Sequence, residues 1–263
     1  MSERDEGRRK AAHWTYTEAD GLSAEALRLS TRSLTVDEIG VAFQPIVDLP
    51  RRRPFAYEAL VRCRRPGFER PDELLAAALA ERAMGRLGRL IREVALPPDR
   101  DVPVFVNLHP EELASRWLVR PDDPLNLYPG PLFLEVTEAA SLDYFELCRG
   151  VLEEICGRIG ATIVIDDLGA GYSNLLRIVD LEPGFVKLDR ELVRGIDRDR
   201  RQRKLVANVV QLCAELGAHV VAEGIETSDE LRAILDAGVR YGQGYLLARP
   251  ADPAPAIHWP EDV

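Results

Sequence analysis

The sequence predicts an α/β fold, a (β/α)8 TIM-like barrel with an antiparallel first strand. Short apolar runs alternate with helix-length segments along most of the chain, as in parallel sheets that helices bury on both faces. Several runs end at a polar or acidic residue, and carboxylates at strand ends are typical of the active-site face of a barrel. Alternating units also fit a doubly wound open sheet. Eight strands with acids on one rim favour the barrel.

Length, charge and composition limit the classes of function. The 263 residues are 46% hydrophobic and 30% charged, which suits one barrel domain. The formal charge of −10 argues against binding of a nucleic acid polymer, but a small anion held by metals and local arginines stays possible. The chain has no apolar run of ~18 residues and no apolar core in MSERDEGRRKAAHW, so we expect no membrane span, no signal peptide and a cytoplasmic location.

The cysteines and histidines indicate neither a disulfide framework nor a zinc site. No CxxC, HxxxH or HxH spacing occurs, so reduced and mostly buried thiols are expected. The residues concerned are Cys63, Cys148, Cys156, Cys213, His13, His109, His219 and His258.

Two regions are predicted. Residues 1–37 are polar and form a partly ordered leader with one helix near 23–30, too short for a sensor domain of ordinary size. Residues 38–263 form the barrel domain. We therefore expect regulation through dimerisation, expression or a separate partner.

The order of elements follows from periodicity and turn residues. The runs 41–49 and 55–62 read as a hairpin, and 74–96 as one long amphipathic helix or a broken pair. Further strands are predicted near 102–107, 132–136, 162–166, 185–188, 219–222 and 240–243. Further helices are predicted near 110–116, 141–160, 173–179, 190–217 with a break near Gly195, and 228–236.

The pair Asp166-Asp167 follows the apolar run TIVI. Adjacent strand residues point to opposite faces, but a turn at the strand end lets both carboxylates converge. Two glycines in the following GAGY permit a tight loop, and Ser173 is a plausible N-cap for the next helix. The alternative is a solvated acidic pair in a loop, which the other acids at strand ends disfavour.

Six strand-end side chains form a set of hard oxygen donors: Glu58, Asn107, Glu135, Asp166, Asp167 and Glu223. Such a set suits Mg²⁺ or Mn²⁺. It exceeds what one Mg²⁺ takes from protein, so we predict two ions, the standard apparatus for in-line displacement at a phosphoester. Lys187, at a neighbouring strand end, would steady developing charge or neutralise the acids.

The ordered motifs carry a resemblance to a known family. They are FQPIVDL, YEALVR, FVNLHP, LFLEVTE, IVIDDLGAGYSN, FVKLD, VVAEGIET and YGQGYLLARP. Over about residues 38–252 the chain resembles the EAL-domain family of cyclic di-GMP phosphodiesterases. The resemblance implies a barrel with an antiparallel first strand, hydrolysis of cyclic di-GMP to linear pGpG with Mg²⁺ or Mn²⁺, and a homodimer.

The resemblance also implies a role for each site residue. Glu58, Asn107, Glu135 and Asp166 would bind the first ion, and Asp166, Asp167 and Glu223 would surround the second. Lys187 would position the attacking water, with Glu223 as candidate base and Glu226 and Gln243 in support. Arg62 would contact a substrate phosphate, Gln44 would lie in the substrate groove, and Glu138 would anchor the loop after Asp167.

Two departures from the family pattern are small. Leu168 stands where phenylalanine is commoner, and His109 where serine is common. The full acid set favours an active enzyme. A receptor that binds cyclic di-GMP without hydrolysis, or a scaffold for a protein partner, are the alternatives.

Overall fold

Eight strands close into a barrel in the described part of the chain, residues 30–113, 118–137, 145–169 and 175–263 of a computed structural model. The strands are β1 (Ile39–Asp48), β2 (Arg53–Cys63), β3 (Val104–Asn107), β4 (Leu132–Thr137), β5 (Thr162–Leu168), β6 (Phe185–Leu188), β7 (His219–Ala222) and β8 (Tyr241–Gly242). Each pairs with the next, and β8 pairs with β1. The closed barrel confirms the predicted fold class and excludes the open sheet.

The first strand runs against both of its neighbours. β1 is antiparallel to β2 and to β8, whereas every pair from β2 to β8 is parallel. At the hairpin turn, Arg51 N–H donates to the backbone oxygen of Asp48 at 3.1 Å, and Arg52 has a left-handed φ of 49°. The hairpin predicted from two adjacent runs is therefore confirmed.

The helices lie between consecutive strands, as the alternation predicts. They are α1 (Pro71–Ala80), α2 (Met84–Ala95), α3 (Pro110–Leu113), α4 (Phe145–Ile159), α5 (Leu176–Leu181), α6 (Arg190–Val193), α7 (Arg200–Glu215) and α8 (Ser228–Asp236). The segment 74–96 is the broken pair, with Arg82 at φ 52° between the two helices. The segment 190–217 breaks near Gly195 as predicted. None of the helices in the described ranges has both the length and the apolar character of a membrane span.

An apolar layer fills one level of the barrel interior. Each strand contributes one residue: Ile46, Ala56, Phe105, Phe133, Val164, Phe185, Val221 and Tyr241. The rings of Phe105 and Phe133 stack with centroids 4.3 Å apart. Because strand side chains alternate between faces, the next interior side chain towards the same rim comes two residues later on β2 to β8 and two residues earlier on the antiparallel β1. The apolar layer therefore supports a second interior layer.

The residues just before β1 pack on α1 and α2. Thr31 and Leu34 are buried. Thr31 Oγ1 donates to Glu81 Oε2 at 2.6 Å, and Arg86 Nη2 donates to the backbone oxygen of Leu34 at 2.6 Å. The end of the predicted leader is thus attached to the barrel, while its boundary at residue 37 stays a prediction.

Candidate metal centre

A polar layer lies directly above the apolar layer. It consists of Gln44, Glu58, Asn107, Glu135, Asp166, Lys187, Glu223 and Gln243, one from each strand or strand end. Each is two residues along the chain from the apolar-layer residue of its strand, so the period of two brings all eight to one level. The sequence predicted all eight as site residues. The structure brings them together, and their individual roles stay predictions.

Lys187 lies at the centre of the polar layer. Its Nζ is 2.6 Å from Glu223 Oε1, 2.8 Å from Glu135 Oε1, 3.1 Å from Asp166 Oδ1 and 3.2 Å from Glu58 Oε1. An ammonium has three N–H donors, so it cannot donate fully to four carboxylates at once. The acids therefore retain acceptor capacity that Lys187 does not satisfy.

Two side-chain amides orient the carboxylates. Asn107 Nδ2 donates to Glu58 Oε1 at 3.3 Å. Gln243 Nε2 donates to Glu58 Oε2 at 2.6 Å and to Glu223 Oε1 at 3.2 Å. Both oxygens of Glu58 are thereby held, which fixes the plane of its carboxylate. Gln243 links this carboxylate to that of Glu223.

Asp167 joins the site through an unusual backbone conformation. Its φ is 59°, in the left-handed region that aspartate tolerates better than most residues. The pairing of β5 with β6 also shifts register between Ile165 and Leu168. This irregularity suspends the alternation of faces, so ligand oxygens of Asp166, Asp167 and Glu223 all lie within 4.8 Å of one another. The convergence predicted for the adjacent aspartates is therefore observed, although within the strand rather than after it.

Burial and neighbouring charge shift the pKa values of the acids, downwards for Glu58 and upwards for Glu135 and Glu223. Burial opposes ionisation of Glu58, but the Lys187 ammonium and the Gln243 amide outweigh it and lower the pKa of Glu58 below its ordinary value. For Glu135 burial dominates, and its pKa lies well above the ordinary value. Burial also raises the pKa of Glu223 to about 8.

Burial and neighbouring charge also shift the pKa values of Asp167 and Lys187. Burial, with the adjacent charge of Asp166, raises the pKa of Asp167 to about 6. Burial alone would lower the pKa of Lys187, but the carboxylates around it, led by Asp166, raise it well above its ordinary value. Lys187 therefore keeps its proton at neutral pH, whereas some of the acids hold protons when no cation is near.

The residues fit a site for divalent cations. Five carboxylates and one ammonium carry a net charge of −4 when all are ionised. Glu135 Oε2 is buried and lacks a hydrogen-bond partner among the described residues, which is costly for a carboxylate oxygen unless a cation or proton meets it. All the donors are hard oxygens, as Mg²⁺ and Mn²⁺ prefer.

Three further predicted residues in the described ranges form hydrogen bonds with groups other than the carboxylates around Lys187. Gln44 is buried, and its Nε2 donates to the backbone oxygen of Ala248 at 3.1 Å. Arg62, half-buried, donates from Nη1 to the backbone oxygen of Val61 at 2.8 Å. Glu226 is exposed, and its backbone N–H donates to Glu230 Oε2 at 3.0 Å. Glu138 and Ser173 lie outside the described residues.

The two departures from the family pattern occupy structural positions. His109 precedes α3, and its Nδ1 accepts from the backbone N–H of Glu111 at 3.1 Å, which makes it an N-cap. Leu168 is buried and pairs with Leu188 of β6. The His109 side chain thus caps a helix, and Leu168 is a buried residue at the end of β5.

Asp189 is one acid near the site that the sequence reasoning missed. After burial and Asp166, its charge contributes to the raised pKa of Asp167. It also accepts from the backbone N–H of Glu191 at 2.7 Å at the start of α6. Its position two residues after Lys187 was the available signal, because it continues the same period.

Comparison with known proteins gives a consistent family match. Residues 27–250 match the family model described as EAL domain. A cyclic di-GMP phosphodiesterase of Pseudomonas aeruginosa is 31% identical over 238 residues, covering 86% of this chain and 40% of that protein. The blue light- and temperature-regulated antirepressor BluF of Escherichia coli is 26% identical over 261 residues, covering 94% of this chain and 62% of that protein.

The fold is also found among solved structures. The Klebsiella pneumoniae protein BlrP1, in a manganese/cy-diGMP complex, superposes with a TM-score of 0.70 and 33% identity. The match covers 81% of this chain and 56% of that one. This chain therefore spans less than two thirds of the length of each of these three proteins.

Proposed function

This chain belongs to the EAL domain family, and from that premise we propose that it is a metal-dependent phosphodiesterase that hydrolyses cyclic di-GMP to linear pGpG. The observation that carries the proposal is the polar layer, where four carboxylates surround the ammonium of Lys187 and Asp167 adds a fifth beside Asp166 and Glu223. The proposal includes two ions per site, a homodimer and a cytoplasmic location, as expected from the sequence.

The proposed ligands divide between the two ions. Glu58, Asn107, Glu135 and Asp166 would hold one ion, and Asp166, Asp167 and Glu223 the other. Bound Mg²⁺ or Mn²⁺ would polarise the phosphoryl group and make water a stronger nucleophile. In the strand order, Asp166 on β5 comes after the strands of Glu58, Asn107 and Glu135 and before that of Glu223, which supports its role as the shared ligand.

The protein's own groups would handle protons and charge. Lys187 keeps its proton, because the acids raise its pKa, and it can donate hydrogen bonds to the attacking water or to developing negative charge. Glu223 would be the candidate base; burial raises its pKa to about 8 in the metal-free site, so cation binding would have to release that proton first. Gln243 holds Glu223 Oε1 at 3.2 Å and so orients that base.

The substrate would lie over the open side of the layer. Asn107 is exposed and Glu223 is half-buried, whereas Glu135 and Lys187 are fully buried. The layer is therefore accessible from the rim where β2 to β8 end. Arg62 would contact a phosphate there, and Gln44 would line the groove.

Turnover of cyclic di-GMP with added Mg²⁺ or Mn²⁺ tests the proposal. Chromatography should detect pGpG from the wild-type protein. Glu135→Gln, which keeps the shape but removes the charge, should lower kcat/KM by about 100-fold or more, since even residues that only orient metal ligands contribute ~10–100-fold. Glu153→Gln on α4 is the matched control, because that side chain is 63% exposed, and it should keep wild-type activity.

A protein-binding regulator without turnover is the second candidate, favoured by the similarity to the antirepressor BluF. This candidate function predicts that no pGpG forms with Mg²⁺ or Mn²⁺, whether or not cyclic di-GMP binds. That result with folded wild-type protein would contradict the phosphodiesterase proposal. Detection of pGpG that depends on Glu135 would exclude the regulator as the sole function.

A further inference from the structure

A buried group of three charges connects α2 to the end of β3. Arg92, Glu112 and Asp123 are 1%, 2% and 0% exposed. Arg92 Nη1 lies 2.6 Å from Glu112 Oε2, while its Nε and Nη2 lie 3.0 and 2.9 Å from the two oxygens of Asp123. A guanidinium held on both sides in this way has little freedom, so it fixes the position of each carboxylate.

Glu112 also restrains the turn after Asn107 through hydrogen bonds to His109. Its Oε1 accepts from the backbone N–H of His109 at 3.2 Å, and its own N–H donates to the backbone oxygen of His109 at 2.8 Å. This reciprocal pair resembles a capping box with Glu112 at the third helical position. One residue earlier, the N–H of Leu108 donates to the backbone oxygen of Glu135 at 2.8 Å. The turn is thus held from both sides.

Gly88 leaves the space that the Glu112 carboxylate occupies. A Cβ at position 88 would lie 1.8 Å from Glu112 Oε2. A glycine inside a helix is destabilising relative to alanine. The close approach of the carboxylate accounts for a glycine at this point of α2.

We propose that Glu112, anchored by Arg92, is a positioning residue for the candidate metal centre. It fixes the turn that presents Asn107, whose Nδ2 donates to Glu58 Oε1 at 3.3 Å. The described hydrogen bonds of Arg92 and Glu112 reach Asp123 and His109, which lie outside the polar layer. This role rests on the proposed function, since it assumes that Asn107 and Glu58 serve a bound cation.

Gly88→Ala tests the role without changing any charge. The added methyl group displaces the Glu112 carboxylate, while alanine favours the helix. Gly157→Ala on α4 is the matched control, since a Cβ there meets nothing within 4 Å. Calorimetry with Mn²⁺ alone gives the affinity, and hydrogen exchange of 107–113 in metal-free protein reports on the turn.

The expected results separate positioning from general stability. Gly88→Ala should weaken Mn²⁺ binding about tenfold and speed exchange of 107–113, whereas Gly157→Ala should change neither. Glu112→Gln has one acceptor oxygen for the two donors on Arg92 and His109, so it should weaken Mn²⁺ binding in the same direction as Gly88→Ala. Asp123→Asn should lower stability but weaken Mn²⁺ binding less than Gly88→Ala, because Arg92 keeps its bond to Glu112. If Gly88→Ala does not fold, Glu112→Asp, too short to reach both partners, should show the same loss.

Two outcomes would overturn the role. One is that folded Gly88→Ala or Glu112→Asp binds Mn²⁺ with wild-type affinity and shows wild-type hydrogen exchange at 107–113. The other is an equal loss of affinity in Asp123→Asn. Wild-type protein that binds Mn²⁺ but never hydrolyses cyclic di-GMP would defeat the proposed function and leave this role standing. Wild-type protein that binds no Mn²⁺ would defeat both.

Discussion

Lys187 Nζ lies 2.8 Å from Glu135 Oε1, and the two side chains are 1% and 0% exposed. The pair joins β4 to β6 past the intervening β5. Burial disfavours both charges; Lys187 keeps its charge because several carboxylates face it, whereas burial dominates for Glu135 and raises its pKa. Lys187 also faces three further carboxylates, which leaves the metal-free site short of positive charge. The site is therefore arranged to gain stability from added cations.

Lys187→Met should destabilise the metal-free protein. Loss of one partner of a buried ion pair typically lowers the free energy of unfolding by about 3–5 kcal/mol. The loss should be smaller at about pH 5 than at about pH 8, because protons can neutralise the carboxylates at the lower pH. Urea denaturation at both pH values measures the difference. Turnover of cyclic di-GMP should also be lost.

Arg198→Met is the control for removal of a positive charge. Arg198 is 86% exposed and pairs with Asp197, so its loss should change stability by less than about 0.5 kcal/mol. Equal stability of Lys187→Met and wild type at the higher pH would contradict the buried-charge argument.

The metal-free protein should lose stability as pH rises from about 4.5 to about 8. The pKa of Glu223 is raised from 4.5 to about 8 and that of Asp167 from 3.8 to about 6. Between the unfolded and folded pKa values the folded state binds more protons than the unfolded state, so the unfolding free energy falls with pH. The total change should be on the order of a few kcal/mol, measured by urea denaturation.

Mg²⁺ or Mn²⁺ should reverse this trend. A cation binds the deprotonated acids, so its stabilising effect should grow with pH over the same range. Glu58 does not oppose the trend, since a lowered pKa gives a contribution already complete above about pH 5. A metal-free stability that rises between about pH 5 and 8 would show that the acids do not hold protons in the folded state.

Phe105→Ala should lower the free energy of unfolding by about 3–5 kcal/mol, because the ring is completely buried in the apolar layer. Phe105 lies two residues before Asn107, so loss of its ring also removes support below the polar layer. Leu127→Ala is the control, since Leu127 is 62% exposed and its truncation should cost less than about 0.5 kcal/mol. Similar losses in the two variants would argue against a rigid interior layer.

The strand-level organisation was predictable because it depends on local periodicity. Apolar runs with a polar residue at the end predicted the barrel with acids on one rim, and the adjacent runs predicted the antiparallel hairpin. The end of β5 was placed at residue 166, whereas the strand continues to Leu168. The positive φ of Asp167 lets Leu168 pair again with Leu188. The sequence pattern does not predict such a φ angle.

Contacts between distant segments were not predictable. Arg92 and Glu112 are 20 residues apart, and Arg92 and Asp123 are 31 apart. An arginine in an amphipathic helix is usually solvated, so nothing local indicated that Arg92 would be buried. The pattern Glu112 after His109-Pro110 could have indicated a capping box, but not its connection to α2.

Asp167→Asn should separate stability from metal binding. Asparagine also tolerates the left-handed φ of 59°, so the backbone should be unchanged. Burial and Asp166 disfavour the charge on Asp167, so its removal should raise metal-free stability by about 1 kcal/mol at about pH 8. The same change removes one negative ligand, which should weaken Mn²⁺ binding by about tenfold or more. Thermal unfolding with and without Mn²⁺ measures both effects.

Asp167→Ala distinguishes the charge from the backbone. Alanine removes the same charge but is strained at positive φ, so it should gain less stability than asparagine while losing at least as much affinity. Asp199→Asn is an exposed control at the start of α7, where asparagine also caps a helix well, and Mn²⁺ affinity should not change. If Asp167→Asn were less stable than wild type without metal and bound Mn²⁺ equally well, the carboxylate would serve the fold rather than the cation. An increase in stability together with a loss of affinity would mean that this chain retains a destabilising carboxylate because the bound cation needs it.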